Sequence, residues 1–201
     1  MSMPRPATAT STASAERLPL GLPAEPDAIL ALRSAGPGDA ARLAVLATQV
    51  WLHTYATDGI GDDIARHVLS ELGVDRYAAL LGDPRTSVLV AERGQRLVGM
   101  AVARGKAPCP AGAPSTVELQ TLYVQAHFIG SGIGKRLLQA VEAQVLAAAD
   151  CAPWLMVNAR NDRALAFYRR QGYTQIGTDW FVLGETRHEN LVLIGPGRGG
   201  R

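Results

Sequence analysis

The 201-residue chain is short of cysteine, of surplus charge and of any long apolar run, and each shortage closes off a class of protein. Its two cysteines, Cys109 in a Pro/Gly/Ala loop and Cys151 before an apolar segment, show no metal-ligand spacing and no His pairing at a helix start. Structural zinc and thiolate chemistry are therefore not expected, and a disulfide between the two is left open. Twenty basic against 18 acidic residues leave a formal charge of +2, too even a balance for electrostatic capture of nucleic acid. The opening MSMPRPATATSTASAERLPLGLPAEP lacks the apolar run of about 7–15 residues that a secretory signal needs, so neither secretion nor a membrane anchor is expected. A cytoplasmic protein fits these absences. With 47% hydrophobic residues, the chain has material for one buried core and little for two, and residues 27–195 are expected to form it between a disordered extension (1–26) and a flexible tail (196–201).

What is present is concentrated in the stretch ELQTLYVQAHFIGSGIGKRLL, residues 118–138. Gly130, Gly132 and Gly134 stand between an extended run and an amphipathic one whose apolar positions are Ile133, Leu137, Leu138, Val141 and Val145. Glycines two apart allow positive φ and close backbone approach, and the helix start adds unpaired N–H groups and a positive dipole end. The expected guest is a phosphate or pyrophosphate. A Walker loop is excluded because Ile129 holds the first glycine position and Arg136 the magnesium-binding Ser/Thr position. A dinucleotide fingerprint fails in both frames, landing on Lys135 from Gly130 and on Leu137 from Gly132.

Around this loop the pattern reads as a strand over 28–33, a helix entered at Gly36 to Asp39 and running to Tyr55, and helical pieces from Gly61 to Leu81 with Asp62 or Asp63 as cap. A hairpin follows (87–92 and 96–104), then a strand (117–124), the glycine loop and its helix, a strand WLMVN (154–158), a helix from Asp162 stopped at Gly172, and two last strands (175–183 and 188–195). Spacing alone supports an α/β domain containing an antiparallel hairpin.

Two motifs in this order carry a more specific likeness. Leu122, Tyr123 and Val124 followed by Ile129–Gly134, and then NDRALAFYRRQGY (161–173), resemble the acetyl-CoA loop and the Asn-x-x-Ala-x-x-Phe-Tyr-x-x-x-Gly-Tyr helix of the GNAT superfamily of N-acetyltransferases. The resemblance implies the acyl-CoA N-acyltransferase fold, a mixed, mostly antiparallel sheet flanked by helices, with the fourth and fifth strands splayed around the cofactor. It implies acetyl-CoA as cosubstrate, held by Leu122, Tyr123, Val124, Ile129, Gly130, Ser131, Gly132, Ile133, Gly134, Lys135, Asn161 and Tyr168. Ile129 departs from the family's Gln or Arg at the loop head, which removes a polar or cationic side chain, and Lys135 and Arg136 are candidates to replace it. Asn161 is equally suited to capping its helix.

Catalysis in such a protein needs a base for the amine, polarisation of the thioester carbonyl by a main-chain N–H near Val124, and a proton for the leaving thiolate. The resemblance points to Glu118 as base and Tyr168 as acid. Trp51, Tyr55 and Glu118, with His53 and Asp58 nearby in sequence, are candidates for the acceptor side, where aromatics and an acid suit a cationic amine. The ending WFVLGETRHENLVL resembles that of family members that include polyamine acetyltransferases, which implies a slight lead for polyamine or lysine-like amines. His67, His127 and His188 show no metal spacing, and no metal is expected. The competing readings are a non-catalytic acyl-CoA sensor of the same fold, favoured by Ile129 and opposed by retention of Glu118 and Tyr168, and a nucleotide-phosphate protein, opposed by the failed spacings. A homodimer is compatible with the sequence and not required by it.

Overall fold

A computed structural model describes residues 29–149 and 151–197. The expected extension 1–26, Ala28 at the head of the first expected strand and 198–201 of the tail lie outside the described residues. The elements run β1 (Leu30–Ser34), a 3-10 turn (Pro37–Asp39), α1 (Ala40–Tyr55), α2 (Asp62–Glu71), α3 (Val74–Gly82), β2 (Thr86–Arg93), β3 (Arg96–Gly105), β4 (Val117–Val124), a second 3-10 turn (Ala126–Phe128), α4 (Ile133–Ala149), β5 (Trp154–Asn158), α5 (Asp162–Arg170), β6 (Thr174–Leu183) and β7 (Thr186–Ile194).

The strands form one seven-stranded sheet in the order β1-β2-β3-β4-β5-β7-β6. Every neighbouring pair is antiparallel except β4 and β5, which are parallel and share a single register pair, Glu118 with Trp154. The sheet therefore opens between its fourth and fifth strands as the chain proceeds along β4. Alternation in β2 and β3 shows why both read as nearly continuous apolar runs. Val88, Val90, Met100 and Val102 pack with α1 and α3 on one face, and Leu89, Ala91, Ala101 and Ala103 pack with α4 and α5 on the other. The expected stripe of α4, Ile133 to Val145, is buried in the second of these layers.

Two expectations about helix entry are corrected. Neither Asp62 nor Asp63 caps α2; Gly61, in extended conformation, holds that place, and the two acids sit in the first turn. There they favour the positive end of the helix dipole, and Asp63 pairs with Arg66 one turn on. Asp39 is more than a first-turn acid. It is buried, accepts from the Gly36 N–H at 2.8 Å and from the Arg33 guanidinium at 2.7 and 2.9 Å, and pairs with Arg42. Arg33 also bonds Glu92 at 2.7 and 3.0 Å, so the cluster ties the entry of α1 to β1 and β2. Hydrogen bonds from Arg33 hold the Asp39 carboxyl well below the usual carboxylate range.

The candidate active site

The site begins with a defect in β4. Between the pairs Val102–Thr121 and Ala103–Leu119 the strand carries one extra residue, Gln120, opposite β3. Such a bulge re-aims the side chains that follow it and bends the strand. Here it falls where β4 parts from β5, and Glu118, Leu122 and Tyr123 all border open space.

Two cavities meet in the gap. The smaller, about 490 Å³, runs beneath the glycine loop between α4 and α5 and is bordered by Val124, Phe128, Ile129, Gly130, Gly132, Gly134, Lys135, Arg163, Phe167, Arg170 and Gln171. The larger, about 1120 Å³, lies on the other side of the splay between α2, α3 and the β6–β7 hairpin, with Glu118, His67, Glu71, Arg76, Phe181 and His188 on its walls. Trp51, Tyr55, Leu122, Tyr123, Asn161, Ala164 and Tyr168 border both, so the two form one passage with Tyr123 and Tyr168 at the junction.

The loop side is built mainly from main chain. Gly130 and Gly132 adopt φ of 86° and 83°, a region that L residues enter only with strain. The N–H groups of Ile129 and Ser131 turn inward onto the carbonyls of Ala126 and Phe128. Those of Gly130 and Gly132 have no acceptor among the described residues, and the first turn of α4 adds donors with no partner inside the helix. This is a donor set suited to an anion, with the dipole of a 17-residue helix behind it. The Ser131 hydroxyl donates to the Phe128 carbonyl at 2.6 Å and the Ile133 side chain is buried in the core, so of the expected loop residues these two do not border the cavity. Lys135 borders the cavity, whereas Arg136 donates to the Leu30 carbonyl at 3.4 Å, on the β1 side.

Of the two roles open to Asn161, the structure shows the helix cap. Its Oδ1 accepts from the Ala164 N–H at 3.1 Å and caps α5, and its side chain borders the passage together with Tyr55. Tyr168, two turns further along, is 7% exposed and packs edge-on against Phe167 at 5.2 Å and tilted against Tyr173 at 5.4 Å. Burial raises its phenol far above the ordinary value, so it holds its proton throughout the physiological range. Glu118 stands on the acceptor side of the same gap. Desolvation raises its carboxyl, opposed by a 3.0 Å hydrogen bond from the Gln120 amide and by the charge of Arg104.

The larger cavity is built from side chains of distant segments. Trp51 is buried as a core residue and still shows an edge to both cavities. Its ring lies 5.0 Å from Tyr55 and 4.7 Å from His67, and His67 meets Phe181 of β6 edge-on at 5.9 Å. Desolvation lowers the His67 imidazole below its ordinary value, which favours the neutral ring against Trp51. The hairpin turn closes the far end: Gly184 takes φ of 57°, and a Cβ there would strike the Asp63 carboxylate of α2. His53 and Asp58 border neither cavity, because position 53 faces about half a turn away from 51 and 55 on α1 and Asp58 lies on an exposed turn. Sequence reasoning missed His67 and Phe181, and also Arg163 and Arg170; only the aromatic and basic character of these positions was there to be noticed.

Among the described residues no group of His, Cys, Asp and Glu is arranged to hold a metal, Cys109 and Cys151 are free thiols, and no helix is long and apolar enough to cross a membrane.

A splayed mixed sheet with a glycine-rich anion loop in the gap defines an acyl-CoA N-acyltransferase architecture. Comparison with known proteins agrees: residues 51–173 match the acetyltransferase (GNAT) family, and the chain belongs to that family. An uncharacterized N-acetyltransferase of Mycobacterium tuberculosis is 33% identical over 156 residues, covering 78% of this chain and 96% of its own. Among solved structures, the PaiA N-acetyltransferase of Thermoplasma acidophilum, crystallised with coenzyme A, superimposes with a TM-score of 0.69 at 19% identity over 83% of this chain and 98% of that one. The ribosomal-protein-alanine N-acetyltransferase of Brucella melitensis gives a TM-score of 0.57 at 26% identity over 82% and 98%. The protein is thus an N-acetyltransferase of the GNAT class.

Proposed function

We propose that the protein moves an acetyl group from acetyl-CoA to a primary amine of a polyamine-like small molecule by direct attack within the passage between the two cavities. The observation that carries this reading is the meeting, at Tyr123 and Tyr168, of an anion-binding loop cavity and a ring-lined cavity that bears Glu118. Coenzyme A fits the first of these by its chemistry: Gly130, Gly132 and the α4 start present N–H donors for its phosphates, and Leu122, Tyr123 and Val124 edge the splay where its arm would lie. A structural relative was crystallised with the same molecule. When bound, acetyl-CoA supplies a thioester as acyl donor.

The residues divide the remaining work. Glu118 accepts the amine proton, directly or through water, and its desolvated carboxyl is a stronger base than a solvated one. The main-chain N–H near Val124 polarises the carbonyl, and the Tyr168 hydroxyl, kept protonated by burial, supplies a proton to the departing sulfur. Asn161 is held by its cap bond to the Ala164 N–H at the entrance of the cofactor arm. Trp51, Tyr55, His67 and Phe181 offer π faces to a cationic amine before it loses its proton, and Glu71 and Glu118 add negative charge to the same cavity.

Thiol release from acetyl-CoA by the purified protein tests the reading against a panel of polyamines, amino acids, aminoglycosides and N-terminal peptides. Polyamine turnover above the others supports it. Turnover with peptides alone moves the acceptor to a chain terminus, and coenzyme A binding with a flat panel rejects the acceptor class.

A further inference from the structure

The cofactor-side cavity carries a charge arrangement that its loop does not account for. At the loop head stands Ile129, an apolar side chain that is 43% exposed. Three cations border the same cavity: Lys135 in the first turn of α4, and Arg163 and Arg170 on α5. None of the three forms an ion pair among the described residues. Arg163 and Arg170 are seven residues apart, two helical turns or roughly 10 Å along α5, and therefore share a face. They bracket Phe167, whose ring lies 3.7 Å from where a Gly134 Cβ would stand, so the two guanidiniums flank the turn of α5 that packs on the glycine loop.

Unpaired cations gathered along one wall repel one another unless an anion lies among them. The main-chain donors of Gly130, Gly132 and the α4 start suffice for a diphosphate, whose charge is diffuse. A phosphomonoester carries nearly two charges at neutral pH and is matched by guanidinium forks. Resting on the acyl-CoA reading above, we propose that Arg163 and Arg170, with Lys135, form a subsite for the 3′-phosphomonoester of coenzyme A, which anchors the cofactor from α5 in place of a charged loop head. The protein thereby distinguishes coenzyme A from its 3′-dephospho form.

Isothermal titration of the full chain with coenzyme A and with 3′-dephospho-coenzyme A tests this. The wild type should bind coenzyme A at least tenfold more tightly. Arg163→Ala combined with Arg170→Ala should bring the two ligands within threefold of each other while leaving 3′-dephospho-coenzyme A affinity nearly unchanged, which also reports that the variant is folded. Arg169→Ala removes the same charge from the same helix away from the cavity and should preserve the tenfold ratio. A double variant that keeps the ratio overturns the subsite, as does a wild type that binds both ligands equally; in both cases the acyl-CoA reading stands. A wild type that binds neither ligand removes the reading and the subsite together.

Discussion

The two walls of the passage are made of different material. The smaller cavity's wall is organised by one continuous segment, residues 122–135, whose glycines expose backbone, and is closed by α5 and the end of α1. The acceptor wall is side chains from α1, α2, α3, β4 and the β6–β7 hairpin, contributed by residues from Trp51 to Asn190. Main-chain donors accept any residue that can adopt the required φ and ψ, so the first wall tolerates Ile129 at its head. The second wall has no such tolerance, because each ring contributes its own surface and no neighbour substitutes for it. A fixed half that recognises the donor and a replaceable half that recognises the acceptor is how one fold serves many amines.

The largest effect should come from the junction the walls share. Tyr168→Phe should lower kcat about 100-fold, at the lower end of what a positioned proton donor contributes, while coenzyme A affinity by titration stays within twofold. Loss of affinity alone would place Tyr168 in the cofactor wall as a packing residue.

Next is Glu118→Gln, with a fall in kcat of about 30-fold, smaller because water also reaches an open cavity and can take the proton. Burial raises the Glu118 carboxyl, so its protonated form persists to higher pH than that of a solvated glutamate. A base acts when deprotonated, and activity should therefore climb as pH rises through that elevated value. Tyr168 is raised in the same direction, and an acid must stay protonated, so it sets no alkaline limit near neutrality. A pH profile of kcat/KM in which Glu118→Gln keeps the acid limb intact would exclude Glu118 as its source.

On the cofactor wall alone, Gly132→Ala forces an alanine into φ of 83°. The strain of roughly 1–2 kcal/mol should weaken coenzyme A about tenfold, with kcat at saturation unchanged. An unaltered affinity would mean that the loop N–H groups do not face the ligand.

The same division explains which parts of the molecule are legible in the sequence. The glycine loop, the α5 motif and the buried stripe of α4 each lie within about 20 consecutive residues, and their local periodicity and turn chemistry survive folding intact. Among the described residues β1 runs Leu30–Ser34, one residue past the expected end at 33, and α2 is capped by Gly61, since ends of elements are decided by tertiary contacts such as the Arg33–Asp39–Glu92 cluster. His67 and Phe181 could not be paired in advance because topology brings them together. β7 lies between β5 and β6, and β5 stops at Asn158, opposite Asn190. The hairpin beyond that pair, Trp180 to Glu189, has no β5 neighbour and extends to α2. Nothing in WFVLGETRHE announces where it will rest.

The smallest effect tests whether that hairpin belongs to acceptor recognition at all. Phe181 is 40% exposed and lines the larger cavity beside the His67 ring, so its truncation removes little core. A π face at such a site contributes about 0.5–1 kcal/mol toward a cation, a factor of roughly 2–5 in affinity. Phe181→Ala should therefore raise KM for a cationic amine about threefold, and leave kcat and coenzyme A affinity unchanged. Trp180, its exposed neighbour on β6, borders neither cavity, and Trp180→Ala should leave KM where it was. If both substitutions raise KM equally, the hairpin acts through its fold rather than through the ring it presents. If Phe181→Ala lowers kcat as well, the two walls are coupled, and the acceptor side helps to position the reacting amine against Glu118 as well as to select it.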